Sequence, residues 1–113
     1  MLVRNLTRNT VLGDRIQAAR TSKERRTGLL KHEGLADGEG LWIVPCESVH
    51  SFGMKFAIDV VFVNRKKVVV KVRPNMVQWR IAFSIRAHSV VELPVGTIDK
   101  TGTRPGDQLE FVS

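Results

Sequence analysis

Between Phe56 and Val63 the chain reads Phe-Ala-Ile-Asp-Val-Val-Phe-Val, an apolar run rich in valine and phenylalanine with one carboxylate in its middle. Such a composition is the strongest strand signal in the sequence. Asp59 therefore needs an explanation. Burying it unpaired would cost several kcal/mol, so it must reach water, a cation or several hydrogen-bond donors. Lys55, Arg80 or a local run of backbone amides could supply those donors. Either Asp59 is a structural acceptor that holds a loop, or it is a site carboxylate with a perturbed pKa. The way carboxylates near loops cap turns favours the structural role.

Other short apolar runs surround this one. Leu2 to Ala19 is broken by Asn9 and by Gly13-Asp14 and reads as two strands. Thr21-Ser22-Lys23-Glu24 matches a capping box, which predicts a helix from there to about His32, ended by Gly34, with Leu29 and Leu30 buried. Gly28 inside it implies a shorter helix or the close approach of another backbone. Leu41 to Val44 reads as a buried strand stopped by Pro45, and Pro45 to Gly53 as a loop. The turn Asn64 to Lys67 leads into Val68 to Val72 and predicts a hairpin. Ile81 to Ile85, Ser89 to Leu93 and Leu109 to Val112 are shorter strand candidates, with turns at Pro94 to Gly96 and Arg104 to Asp107.

Seven or eight short strands and one clear helix without regular βαβ alternation exclude a doubly wound parallel sheet. The fold expected is α+β, mostly antiparallel, with one or two short helices and a sheet able to curl toward a small barrel. With 113 residues, 42% hydrophobic and 26% charged, the chain suits a single domain, 1–113, with an ordinary core. One cysteine excludes an internal disulfide and a CxxC centre. No apolar run approaches the roughly 18 residues that span a bilayer, and Met1 to Arg8, charged with no apolar stretch behind it, leads one to expect no export segment. The compartment expected is the cytoplasm, with no membrane partner.

A few residues could carry chemistry. Cys46 and His50 lie four residues apart, and a thiolate beside an imidazolium is how cysteine nucleophiles are activated. Against that, a lone cysteine after an apolar strand is commonly a small buried hydrophobe. His50 stands among Glu47, Ser48 and Ser51, where an imidazole can titrate, bond a ligand or simply bond a carbonyl. Glu92 repeats the Asp59 question between Val91 and Leu93, and a pair of the two could do acid–base work or bind a divalent cation. No P-loop, HExxH, GxSxG or GxGxxG motif is present.

The net charge is +7, and 10 of the 18 cations fall in two groups. Arg20, Lys23, Arg25, Arg26 and Lys31 surround the helix; Arg65, Lys66, Lys67, Lys71 and Arg73 lie in and after the hairpin. A shared face would track phosphates, whereas the plain reading is a solvated surface without interleaved aromatics. Trp79-Arg80 could stack on a ligand ring, while Trp42 belongs to the core.

Several of these strings occur in one order: Gly28-Leu29-Leu30, Gly38 to Pro45, His50 to Val63, Val91 to Gly96 and Gly106-Asp107. Together they resemble the domain-of-unknown-function 192 family. The most specific part is Phe52-x-Met54-Lys55-x-x-x-Asp59-Val60-x-Phe62, followed by Glu92-Leu93-Pro94 and Gly96. The resemblance implies a compact, largely β α+β domain and brings no established activity, cofactor or catalytic residue.

The leading expectation is a small non-enzymatic domain that binds a polar or anionic ligand near His50 to Asp59, with His50, Lys55, Asp59, Arg80 and Glu92 as candidate contacts. No metal or cofactor is called for. The alternatives are a hydrolase-like or acid–base enzyme using Cys46/His50 or Asp59/Glu92, and weak nucleic-acid association through the basic groups. Both a monomer and a dimer fit the sequence.

Overall fold

A computed structural model describes all residues, Met1–Ser113. The Ile58–Val63 strand lies inside the main sheet, flanked on both sides by antiparallel neighbours. Numbered in chain order, the strands are β1 (Leu2–Asn5), β2 (Thr10–Gly13), β3 (Arg15–Ala19), β4 (Glu39–Ile43), β5 (Ser48–His50), β6 (Ile58–Val63), β7 (Val69–Met76), β8 (Ile81–Phe83), β9 (Ser89–Pro94) and β10 (Leu109–Val112). The helices are α1 (Ser22–Thr27) and α2 (Thr97–Thr101). A five-stranded sheet has the order β3-β4-β9-β6-β7, a three-stranded sheet β10-β1-β2, and β5 and β8 form a two-stranded ribbon. Only β3 and β4, joined through α1, run parallel; the other pairs are antiparallel and no barrel closes.

All six residues of β6 are buried because both faces of the central sheet are covered. One face carries Val61, Val63, Val91 and Leu93 against Val3, Leu12 and Leu109 of the three-stranded sheet and Ile98 of α2. The other carries Ile58, Val60, Phe62 and Val90 against Leu29, Met54, Met76 and the inward Val49 and Ala82 of the ribbon. A strand buried on both faces has no reason to alternate polar with apolar side chains. The edge strand β7 tolerates Pro74 because no ladder partner needs its missing N–H.

The capping box forms as expected. The Thr21 hydroxyl accepts from the Glu24 amide at 3.1 Å, and the Glu24 carboxylate accepts from the Thr21 amide at 3.0 Å. These backbone bonds hold the Glu24 carboxyl below its ordinary pKa. The helix ends at Thr27 and not near His32, because Gly28 takes φ +48°, which cannot continue a right-handed helix. No foreign backbone crowds Gly28, so its conformation is the reason for the glycine. Leu29 is buried from the turn beyond the helix.

Three further differences separate the structure from the sequence reading. The first segment holds three strands, not two; the Pro45 to Gly53 stretch includes β5; and the strand expected at Val68 to Val72 runs as β7 to Met76, while the Pro94 to Gly96 turn leads, within the one or two short helices expected, into α2. A three-residue strand has too few residues to show a period, which is why β5 looked like loop.

Candidate functional site

The register of β6 against β9 decides which acids can meet. Asp59 opposes Leu93, and Val60 opposes Glu92. Directly opposed residues share a face and successive residues alternate. Asp59 and Glu92 therefore lie on opposite faces of the sheet, and the acid–base or cation-binding pair is ruled out.

Asp59, 1% exposed, spends both carboxylate oxygens on backbone amides. Its Oδ1 accepts from Asn75 at 2.8 Å, and its Oδ2 accepts from Gly96 at 3.1 Å and Ile98 at 2.9 Å. Asn75 has φ +48° at an irregularity in β7, and Gly96 has φ +98° at the start of α2. The carboxylate thus ties a strand kink to a helix entry. Its donors are the run of backbone amides, not Lys55 or Arg80. Asp59 is a structural acceptor.

Lys55 donates to Glu33 at 2.6 Å on the surface. Arg80 is exposed, and its guanidinium donates to the carbonyl of Trp79 at 3.3 Å. Neither side chain lines the cavity that holds Glu92.

That cavity, about 80 Å³ in volume, lies on the other face of the sheet. It brings together Glu92, Cys46 and His50 with Arg25 and Arg26 from α1 and apolar walls that include Leu29, Ile43, Val49 and Met54. Glu92 is 5% exposed and receives no hydrogen bond or ion pair from the chain. Burial alone pushes its carboxyl up to about 7. Behind it, on the opposite face of the sheet, Gly40 lets β4 and β9 approach: a Cβ there would come within 2.6 Å of the Glu92 carbonyl oxygen and 2.7 Å of Ile16.

The Cys46 thiol is partly buried and donates to the Ser48 carbonyl at 3.0 Å. Burial pushes its pKa up and outweighs the opposing backbone contact at Ser48 and the charge of Arg25, while the nearby Glu92 adds to the rise. A hydrogen-bonded thiol of raised pKa is the reverse of an activated thiolate. His50 borders the cavity, but its side chain is exposed on the outer face of β5, opposite Ile81, with its ring 5.4 Å from that of Phe52. Arg25 and Arg26 looked from the sequence like part of a charged helix face. Both line the cavity rim, where the Arg25 guanidinium donates to the Arg20 carbonyl at 2.6 Å and Arg26 is exposed; no local motif announces that placement.

Near neutrality the Glu92 carboxyl is shared between its two protonation forms, so it can donate to a ligand, accept from one or exchange a proton. The fold and this site define a small mixed-sheet α+β domain with an unpartnered carboxyl in an apolar-walled cavity. The chain matches the DUF192 family (Uncharacterized ACR) over residues 4–111 and belongs to it. It is 36% identical over 77 residues to UPF0127 protein PF1050 of Pyrococcus furiosus, a match covering 63% of this chain and 66% of that protein, just under two thirds of its length. Two crystal structures share the fold. A protein of unknown function from Novosphingobium aromaticivorans has a TM-score of 0.83 and 24% identity, over 97% of this chain and 82% of that one. A protein of Sinorhizobium meliloti, described as a candidate transcription regulator, has a TM-score of 0.83 and 21% identity, over 96% of this chain and 89% of that one.

Proposed function

We propose that the domain binds a small polar ligand whose head group enters the cavity and meets the Glu92 carboxyl, while Arg25 and Arg26 complement an anionic group on the same molecule. The observation that carries this reading is Glu92 itself. A carboxyl buried in a sheet without a partner costs stability, and a ligand that hydrogen-bonds it recovers part of that cost. The apolar walls with a few converging polar groups are the usual make-up of a small-molecule site. The site proposed borders the His50 to Asp59 segment on the face that holds Cys46 and Glu92.

The test is a titration of the isotopically labelled chain with glycolate, lactate, glycerate, glycine and serine, followed by amide chemical shifts. Saturable shifts at Cys46, Val49, His50 and Glu92 that vanish in Glu92→Leu are expected. Shifts absent throughout, or identical in Glu92→Leu, would refute the reading.

A second reading, nucleic-acid association, is favoured by one contact. Arg20 and Lys67, one from each basic group, lie 5.0 and 5.4 Å from the centroid of the same ring, Trp42. Retardation of DNA or RNA whose log affinity falls linearly with log salt supports it, and salt-insensitive or absent retardation rejects it.

A further inference from the structure

The segment between Asp59 and Glu92 contains seven cations and no Asp or Glu. The ion pairs of the chain involve Arg4, Arg8, Arg15 and Lys55, so none of the seven is neutralised by a carboxylate contact. The same segment carries the most exposed large apolar side chains of the molecule: Trp79 is 68% exposed, Ile81 63%, Phe83 59% and Ile85 83%. Ile81 and Phe83 lie on the outer face of the β5–β8 ribbon, opposite His50 and Ser48, with Val49 and Ala82 turned inward. Trp79 extends the apolar surface by packing 5.6 Å from Phe52.

Cations stand among these side chains. Arg80 sits between Trp79 and Ile81, and Lys71 donates to the Phe83 carbonyl at 2.8 Å with its ammonium 5.6 Å from the Phe83 ring. Arg65, Lys66 and Arg86 share a hollow with Ile85. An exposed apolar patch of this kind marks an interaction surface.

We infer that the β8 ribbon and its flanking loops form a docking surface for an anionic lipid bilayer, with Trp79, Ile81, Phe83 and Ile85 entering the interfacial region and the surrounding arginines and lysines facing the headgroups. Three observations select this occupant. The unpaired positive charge complements an anionic surface and repels a second copy of the chain. Trp79, Ile81 and Phe83 line no cavity, so they protrude, and a fluid partner accommodates protruding side chains without a preformed mate. The two isoleucines find an apolar medium in acyl chains, whereas a nucleic-acid strand offers them only aromatic faces and phosphates. The absence of a spanning segment, which led the sequence reading to expect no membrane partner, leaves attachment to the surface open. This surface does not depend on the cavity reading.

The test uses the full chain with phosphatidylcholine vesicles, with and without phosphatidylglycerol, at low salt. Cosedimentation with the phosphatidylglycerol vesicles is expected, along with quenching of Trp79 fluorescence by brominated acyl chains. Trp79→Ala combined with Ile85→Ser, and separately Arg80→Glu combined with Arg86→Glu, should each lower partitioning by about ten-fold or more. All four positions are solvent-facing, and matching thermal melts confirm that the variants fold. No cosedimentation, or cosedimentation that either pair leaves unchanged, overturns the inference. So does Trp79-dependent retardation of single-stranded DNA without vesicle binding, or a dimer that Ile85→Ser dissociates.

Discussion

The two faces of one sheet hold two buried carboxyl groups that the chain treats in opposite ways. Asp59 receives three backbone amides and is part of the scaffold. Glu92, one strand away, receives none and faces a cavity. Burial by itself therefore does not mark a functional carboxylate. What distinguishes the two is whether the fold supplies donors, and a carboxyl left without them is either a cost the structure tolerates or a position kept open for a ligand.

Breaking the satisfied side should have the largest effect. Asp59→Ala leaves three buried N–H groups without an acceptor and is expected to destabilise the fold by about 3–5 kcal/mol in urea unfolding. A loss below about 1 kcal/mol would show that water replaces the carboxylate easily and that the clamp is unimportant.

Glu92 should behave in the reverse sense. Its folded pKa of about 7 lies above the ordinary 4.5, so the folded state keeps a proton that the unfolded chain releases. Its contribution to stability is full below pH 4.5 and is lost as pH rises through 7. At pH 8 Glu92→Gln should be more stable than the wild type by about 3 kcal/mol, a difference that fades below about pH 4.5. Equal stability of the two chains across pH 4–8, in denaturant melts, would mean that Glu92 finds donors after all.

Cys46 sharpens the same contrast from the cavity wall. Its partial burial and raised pKa predict alkylation by iodoacetamide at pH 8 about ten-fold or more slower than a free thiol, restored on unfolding in urea. Fast labelling of the folded chain would instead identify an exposed, reactive thiol. The smallest effect belongs to the surface pair of Lys55 and Glu33: Lys55→Ala should change stability by less than about 1 kcal/mol and leave cavity titrations untouched. A larger loss would place Lys55 in the framework around Met54.

How much of this could be read beforehand depends on the range of the interaction involved. Thr21 and Glu24 are three residues apart, and their capping box was legible because all of its bonds are local. Asp59 was recognised as anomalous because an acid inside an apolar strand needs donors wherever that strand lies. Its donors, Gly96 and Ile98, lie 37 and 39 residues away and could not be named. His50 and Glu92 border one cavity, with the His50 ring turned to the outer face of the ribbon, whereas Lys55, Arg80 and Asp59 lie elsewhere. Nothing in a string of residues says on which side of a sheet each one falls until its partner strand is known.

The sequence by itself determined the α+β class, a strand within Phe56 to Val63, the helix start and the family, because composition, capping and ordered motifs are properties of neighbouring residues. Only the tertiary structure decided that Asp59 is scaffold, that Glu92 faces a cavity with Cys46 and His50, and that Trp79 to Ile85 form an exposed apolar surface among unpaired cations. The physical reason is register. A shift of one residue between β6 and β9 would exchange the faces of every side chain on one strand relative to the other, and that register is set by packing between segments some 30 residues apart.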